Sequence, residues 1–136
     1  SGENDALYIY DIPKREIVSK FYFKELVGIL SPSWSPDGKR IVFSGLHFSG
    51  YNDLYIFDTE SEDLIQITDD FYDDIDPSWS PDGSLIAFSS TREGSSRIYI
   101  MTAFGTDQRR LLALPGEQSA PKWSPNLFGN SASSVD

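Results

Sequence analysis

The sequence writes Pro-x-Trp-Ser-Pro-Asp-Gly at residues 32–38, writes it again at 77–83, and begins it a third time at 121–125. Its three tryptophans, Trp34, Trp79 and Trp123, fall 45 and 44 residues apart. A second marker keeps the same phase: LYIYD at 7–11, LYIFD at 54–58 and IYIMT at 98–102. Two independent markers held in step restrict the fold more than composition does. Each period must be one supersecondary unit that repeats its packing against the next.

Within a period, short apolar segments alternate with turn signals, which reads as all-β. One unit predicts strands at 32–35, 40–44, 53–57 and 63–68; the next predicts them at 77–80, 85–89, 97–101 and 110–114. Two strands, 7–11 and 16–22, come before these units, and one first strand, 121–124, comes after. FKELVGIL, at 23–30, comes closest to a helical stripe and is short. RIVFS, LIAFS and LYIF are apolar at successive positions, so both faces of those strands seek a neighbour. The expected fold is a set of β-propeller blades of four antiparallel strands, about two complete blades plus partial blades at both ends. The units divide as a partial blade and linker (1–31), two blades (32–75 and 76–119), and the first strand of a further blade with a Ser-rich tail (120–136). One such chain cannot close a ring. It reads as a fragment of a longer protein, or as a chain completed by oligomerisation through its open blade edges.

The repeated turn has a local explanation. Pro36 and Pro81 preset φ at the second turn position, Asp37 and Asp82 suit the third, and Gly38 and Gly83 accept the positive φ that follows. Trp34 and Trp79 precede the turns and are expected to pack between blades, where a buried indole N–H needs an acceptor; Trp123 marks the third copy of the repeat. Turn geometry already accounts for the two aspartates, so a catalytic role for them is not needed. The third copy has Leu127 where the others have Gly, so a different turn or a frayed end is expected there.

The run Pro-x-Trp-Ser-Pro-Asp-Gly-x-x-hydrophobic-hydrophobic-Phe-Ser, present at 32–44 and 77–89, resembles the TolB-type, WD-like propeller repeat. The continuation through 53–56 and 97–100, and the LIQIT strand at 64–68, fit the same pattern. The resemblance covers nearly the whole chain. It implies a periplasmic or otherwise extracytoplasmic scaffold that engages partner proteins of the cell envelope. The alternative it implies is a gating or substrate-access propeller of a prolyl-oligopeptidase-like or tricorn-like peptidase, whose hydrolase domain is absent here.

Composition narrows the function classes. With 21 acidic against 11 basic residues, the formal charge of −10 repels phosphate backbones and favours basic partner surfaces, so no nucleic-acid partner is expected. The absence of cysteine removes disulfides, thiolate catalysis and Cys-ligated zinc. No apolar run is long enough for a membrane-spanning helix. The chain begins without Met and reads as a mature form or a fragment. There is no Gly-x-Ser-x-Gly elbow and only one histidine, so the expectation is no enzyme and no cofactor.

In a four-stranded meander, the loops between blades and after the second strand share one face, opposite the Ser-Pro-Asp-Gly turns. That face is expected to gather the loops 45–53, 69–76, 91–97 and 114–119. His47, Phe48, Tyr51, Phe71, Tyr72 and Arg92 are its candidate protein- or peptide-binding residues, because loop-tip aromatics with charge make interaction surfaces. Asp69, Asp70, Asp73, Asp74 and Asp76 could supply oxygen ligands to Ca²⁺, but their spacing does not match an Asp-x-Asp-x-Asp-Gly loop. The favoured reading is a solvated acidic loop without metal.

Overall fold

The structure, a computed structural model, describes residues 6–111 and Trp123. Among these residues all regular structure is β, and every strand pairing is antiparallel. Strands β1 (Ala6–Asp11) and β2 (Glu16–Tyr22) form a two-stranded sheet. A four-stranded sheet follows, built in chain order from β3 (Leu26–Trp34), β4 (Arg40–His47), β5 (Asn52–Asp58) and β6 (Leu64–Gln66). The second four-stranded sheet repeats the order with β7 (Asp74–Trp79), β8 (Leu85–Ser90), β9 (Arg97–Thr102) and β10 (Arg109–Arg110). These are propeller blades.

The first strand of each blade starts earlier than the repeated motif suggests. β3 begins at Leu26, inside the stretch that came closest to a helical stripe, and β7 begins at Asp74. Both therefore cross the expected unit divisions at 31/32 and 75/76. The cause is a β-bulge. Ser31 and Asp76 adopt φ of 53° and 52°, and the registers slip between Leu30 and Ser33 and between Ile75 and Ser78. An extra residue on one strand breaks the two-residue alternation that marks a strand in sequence. The fourth strands are shorter than expected, at Leu64–Gln66 and Arg109–Arg110. The end of the segment expected at 110–114, the turn at 124–127 and the loop at 114–119 lie outside the described residues.

Alternation places apolar side chains on both faces of the β3–β6 sheet. Val42, Leu54 and Ile56 point one way and pack with Trp79, Ile86, Phe88, Tyr99, Met101 and Ala103. Ile41, Phe43, Tyr55 and Phe57 point the other way and pack with Leu7, Leu26, Phe21 and Phe23. The sheet is thus sandwiched. Gly45 is needed where the second cluster is tightest: a Cβ there would lie 2.8 Å from the Tyr55 ring and 2.9 Å from Leu26 Cδ1.

Each Ser-Pro-Asp-Gly turn is a closed hydrogen-bond set. Asp37 Oδ1 accepts from Ser35 Oγ (2.6 Å) and the Lys39 amide (3.0 Å), while Ser35 Oγ accepts from the Arg40 amide (3.0 Å). Asp82, Ser80, Ser84 and Leu85 repeat the pattern at 2.8, 3.0 and 3.0 Å. Gly38 and Gly83 take φ of 74° and 78°, as the turn reading expected. The Ser35 hydroxyl, then the Lys39 amide, hold the Asp37 carboxyl below its ordinary pKa.

The blades are joined along their inner strands by polar bonds. Trp79 Nε1 donates to the Ser33 carbonyl, and Trp123 Nε1 donates to the Ser78 carbonyl, each at 3.0 Å. Ser31 Oγ donates to Asp76 Oδ1 at 2.8 Å, linking the two bulges, and Ser44 Oγ donates to the Asp74 carbonyl at 3.0 Å. The Arg40 guanidinium caps the Trp79 ring at 4.8 Å.

Candidate functional site

The end of the blades opposite the Ser-Pro-Asp-Gly turns is built by three loops tied to one another. Asp73 Oδ1 accepts from the Asn52 amide and Nδ2 at 3.0 and 3.1 Å. The Asp73 amide donates to Thr91 Oγ1 (3.1 Å), and the Thr91 amide returns a bond to the Asp73 carbonyl (3.2 Å). The loop entering β5, the loop between blades and the loop after β8 therefore meet around residues 69–74.

At the centre stand three carboxylates. Asp53, Asp70 and Asp74 each place an oxygen within 4.8 Å of the others. Asp53 and Asp74 are buried. Asp53 Oδ1 accepts from the Asp70 amide at 3.3 Å and from Thr68 Oγ1 at 3.4 Å, and Gln66 donates to Oδ2 at 3.3 Å. Burial, and after the Asp70 amide bond the charges of Asp70 and Asp69, leave its pKa raised to about 6. Burial, with the neighbouring Asp70 charge, also pushes Asp74 well above the usual carboxylate range.

Arg92 offsets this charge from inside the molecule. Its Nη2 lies 3.4 Å from Asp74 Oδ1 and 3.5 Å from Asp70 Oδ2. Nε donates to Ser90 Oγ (2.9 Å), Nη1 donates to Gln108 Oε1 (2.8 Å), and the guanidinium stacks 4.4 Å from the Tyr99 ring centroid. Of the five acidic candidates, the structure brings only Asp70 and Asp74 into this cluster. Asp73 is tied to Asn52 and Asp76 to Ser31. Asp53, which sequence reasoning missed, joins them. Its one sequence signal is a carboxylate opening a strand otherwise apolar on both faces. Carboxylates at this spacing suit a hard cation such as Ca²⁺, but here the Arg92 guanidinium takes the cation's place beside two of the three.

Around the cluster the aromatic candidates stand outward. Phe71 is 79% exposed and Phe48 65% exposed, and Tyr51 and Tyr72 are also exposed. Tyr51 and Phe71 meet edge to face at 6.0 Å, and His47 lies 5.5 Å from the Phe48 ring. His47 Nδ1 accepts from the Ser49 amide at 3.2 Å, which shapes the hairpin between β4 and β5. The arrangement supplies exposed aromatic contacts with a negative surround.

The sequence matches the family described as the TolB beta propeller domain over residues 2–130. A stretch of 37 residues is 78% identical to the Tol-Pal system protein TolB of Desulfosudis oleivorans, covering 26% of this chain and 8% of that one. A stretch of 35 residues is 51% identical to the protein TolB homolog of Chlorobium luteolum, with the same coverages of 26% and 8%. Among solved structures, TolB from Acinetobacter baumannii superposes with a TM-score of 0.71 at 30% identity, over 88% of this chain and 29% of that one. The putative TolB from Agrobacterium tumefaciens gives 0.65 at 28% identity, over 68% and 33%. The tricorn protease gives 0.56 at 21% identity over 85% of this chain and 11% of that one, a likeness of fold alone. The chain thus matches less than a tenth of its curated relatives' length and up to a third of the solved TolB chains.

Proposed function

The chain belongs to the TolB β-propeller domain family, and from that premise we propose that it is a non-catalytic scaffold that docks a protein partner of the cell envelope on its loop face. One observation carries the reading: Phe48, Tyr51, Phe71 and Tyr72 stand exposed on loops that part-buried polar bonds tie to one another around Asp73. Rigid aromatics give large contact area at small cost in side-chain entropy, which is what interface anchors supply. The net charge of −10 favours a partner with a basic rim. The kinship to a Tol-Pal system protein supports an extracytoplasmic, periplasmic setting.

The test is site-specific photo-crosslinking in cells that carry the chain. A benzophenone side chain at position 71 is expected to capture one defined envelope protein. Replacing Phe48, Tyr51 and Tyr72 together by Ser should abolish the adduct while unfolding by urea is unchanged. Equal capture from position 18, on β2 away from the loop face, would sink the proposal.

A further inference from the structure

The two blades differ at one turn of the repeat. In sequence phase, Asp58, Thr59, Glu60 and Ser61 of the β5–β6 hairpin correspond to Thr102, Ala103, Phe104 and Gly105 of the β9–β10 hairpin. The turn itself asks for no apolar residue. The Glu60 amide donates to Asp58 Oδ1 at 2.9 Å, and the Phe104 amide donates to Thr102 Oγ1 at 3.3 Å in the same way. Nor does the core take up Phe104, which stands 83% exposed.

Phe104 is one wall of a groove between the blades. Gly105 brings its hairpin down on the first blade, so close to the Ile67 carbonyl that a Cβ would overlap it. Beside that contact the blades part and leave a cavity of about 280 Å³. Ladder pairing sets Ile56 and Ile65 side by side on the face turned toward the second blade, and with Ile67 they make the opposite wall. Ile65 is 58% exposed there. Exposed apolar groups gathered in a concave site mark an interaction surface. Asp58 and Asp63 also line the groove, and their hairpin carries Glu60 and Glu62 besides. The Asp58 carboxylate is taken up by the Glu60 and Ser61 amides. Glu60, Glu62 and Asp63 have no ion-pair partner among the described residues. Arg40, the cation lining the groove, is held over the Trp79 ring.

We propose that this groove docks a basic peptide segment of a partner protein. A large apolar side chain of the segment sits between Phe104 and Ile65, and lysine or arginine neighbours meet Asp63 and the glutamates of the β5–β6 hairpin. Charge complementarity chooses this occupant: an acidic segment is repelled by the rim, and a purely apolar one covers its carboxylates without pairing them. The groove lies at the Ser-Pro-Asp-Gly end of the blades, where the Thr59 amide and hydroxyl both donate to the Lys39 carbonyl at 2.9 Å. It is the end opposite the aromatic loops, so this inference stands whether or not the loop face binds a partner.

The probe is the peptide acetyl-Ser-Lys-Phe-Lys-Ser-amide, titrated at low salt into the full chain and followed by NMR of backbone amides and of Ile and Ala methyl groups. The methyl signals of Ile56, Ile65, Ile67 and Ala103 should shift together and saturate, while the amides of Phe48, Tyr51, Phe71 and Tyr72 stay in place. Replacing the Phe of the peptide by Ala, or both Lys by Glu, should weaken binding by about tenfold or more. Phe104→Ser and Asp63→Lys in the protein should do the same; both side chains are exposed, so urea unfolding should be unchanged. Groove signals that do not move overturn the proposal. So does equal affinity for the peptide with Ala, which would reduce the contact to diffuse attraction between charges, and so do shifts centred on the loop-face amides.

Discussion

The β3–β6 sheet meets a neighbour on each face, and the two meetings differ. Toward β7–β10 the contact is polar and apolar together: Trp79, Ser31 and Ser44 all bond across it, over a core that includes Val42, Phe88 and Met101. Toward β1–β2, among the described residues, packing rings and aliphatic side chains dominate, with Phe21, Phe23 and Leu7 set against Phe43, Tyr55 and Phe57. Burial alone gives adhesion that tolerates sliding, because the hydrophobic effect is non-directional. Directional bonds to backbone carbonyls fix the register of one blade against the next. The comparison therefore separates what holds blades together from what aligns them.

The sharpest test contrasts the two tryptophans. Trp79→Ala removes a buried ring and frees the Ser33 carbonyl, and should cost about 3–5 kcal/mol in urea unfolding. Trp34→Ala, at the same motif position but 47% exposed, should stay within about 0.5 kcal/mol. Equal losses would erase the distinction between the faces. Next in size is Arg92→Ala, which leaves Asp74 buried without its cation and should cost about 3 kcal/mol at pH 8. The loss should shrink by pH 5, where Asp74 takes up a proton in place of its partner; a pH-independent loss would mean that packing on Tyr99 is the whole effect.

On the other face, Gly45→Ala drives a methyl group into Tyr55 and Leu26 and should cost about 1–3 kcal/mol. Loss of the near-ultraviolet circular dichroism of the Tyr and Phe cluster, with the Trp79 signal retained, would show that this face yields independently of the other. The smallest effect belongs to Asp53. Its folded pKa of about 6 lies above the ordinary 3.8, so the native state holds the proton more tightly. Stability contributed by the protonated group is present below pH 3.8 and is lost as pH rises through 6. Asp53→Asn should flatten that fall, gaining on the order of 1 kcal/mol at pH 7 relative to pH 4. A wild-type stability curve already flat across this window would contradict the assignment.

The blades were legible because their signals are local. Ser-Pro-Asp-Gly encodes its turn within four residues, and RIVFS or LIAFS declares two buried faces within five. The extra length of β3 and β7 was hidden because the bulges at Ser31 and Asp76 break alternation just where each strand needed it. The carboxylate cluster was half legible. Asp70 and Asp74 advertise themselves in an acidic run, whereas Asp53 reaches them only through the sheet. The need of the tryptophans for acceptors could be foreseen, but the acceptors could not, since a carbonyl belongs to every residue and leaves no mark in sequence.

The bonds between blades run from one phase of the repeat to the same phase of the next: bulge to bulge from Ser31 to Asp76, and Pro-x-Trp strand to Pro-x-Trp strand from Ser33 to Trp79 and from Ser78 to Trp123. A gene encoding such a protein is therefore indifferent to where a one-period duplication is cut. Wherever the breakpoints fall, the new junction restores the same partners, provided a whole period is copied. A half-period error joins a strand to the wrong neighbour and leaves an indole facing a side chain instead of a carbonyl. The same bonds that align the blades thus set the unit in which chains of this kind can lengthen or shorten by recombination.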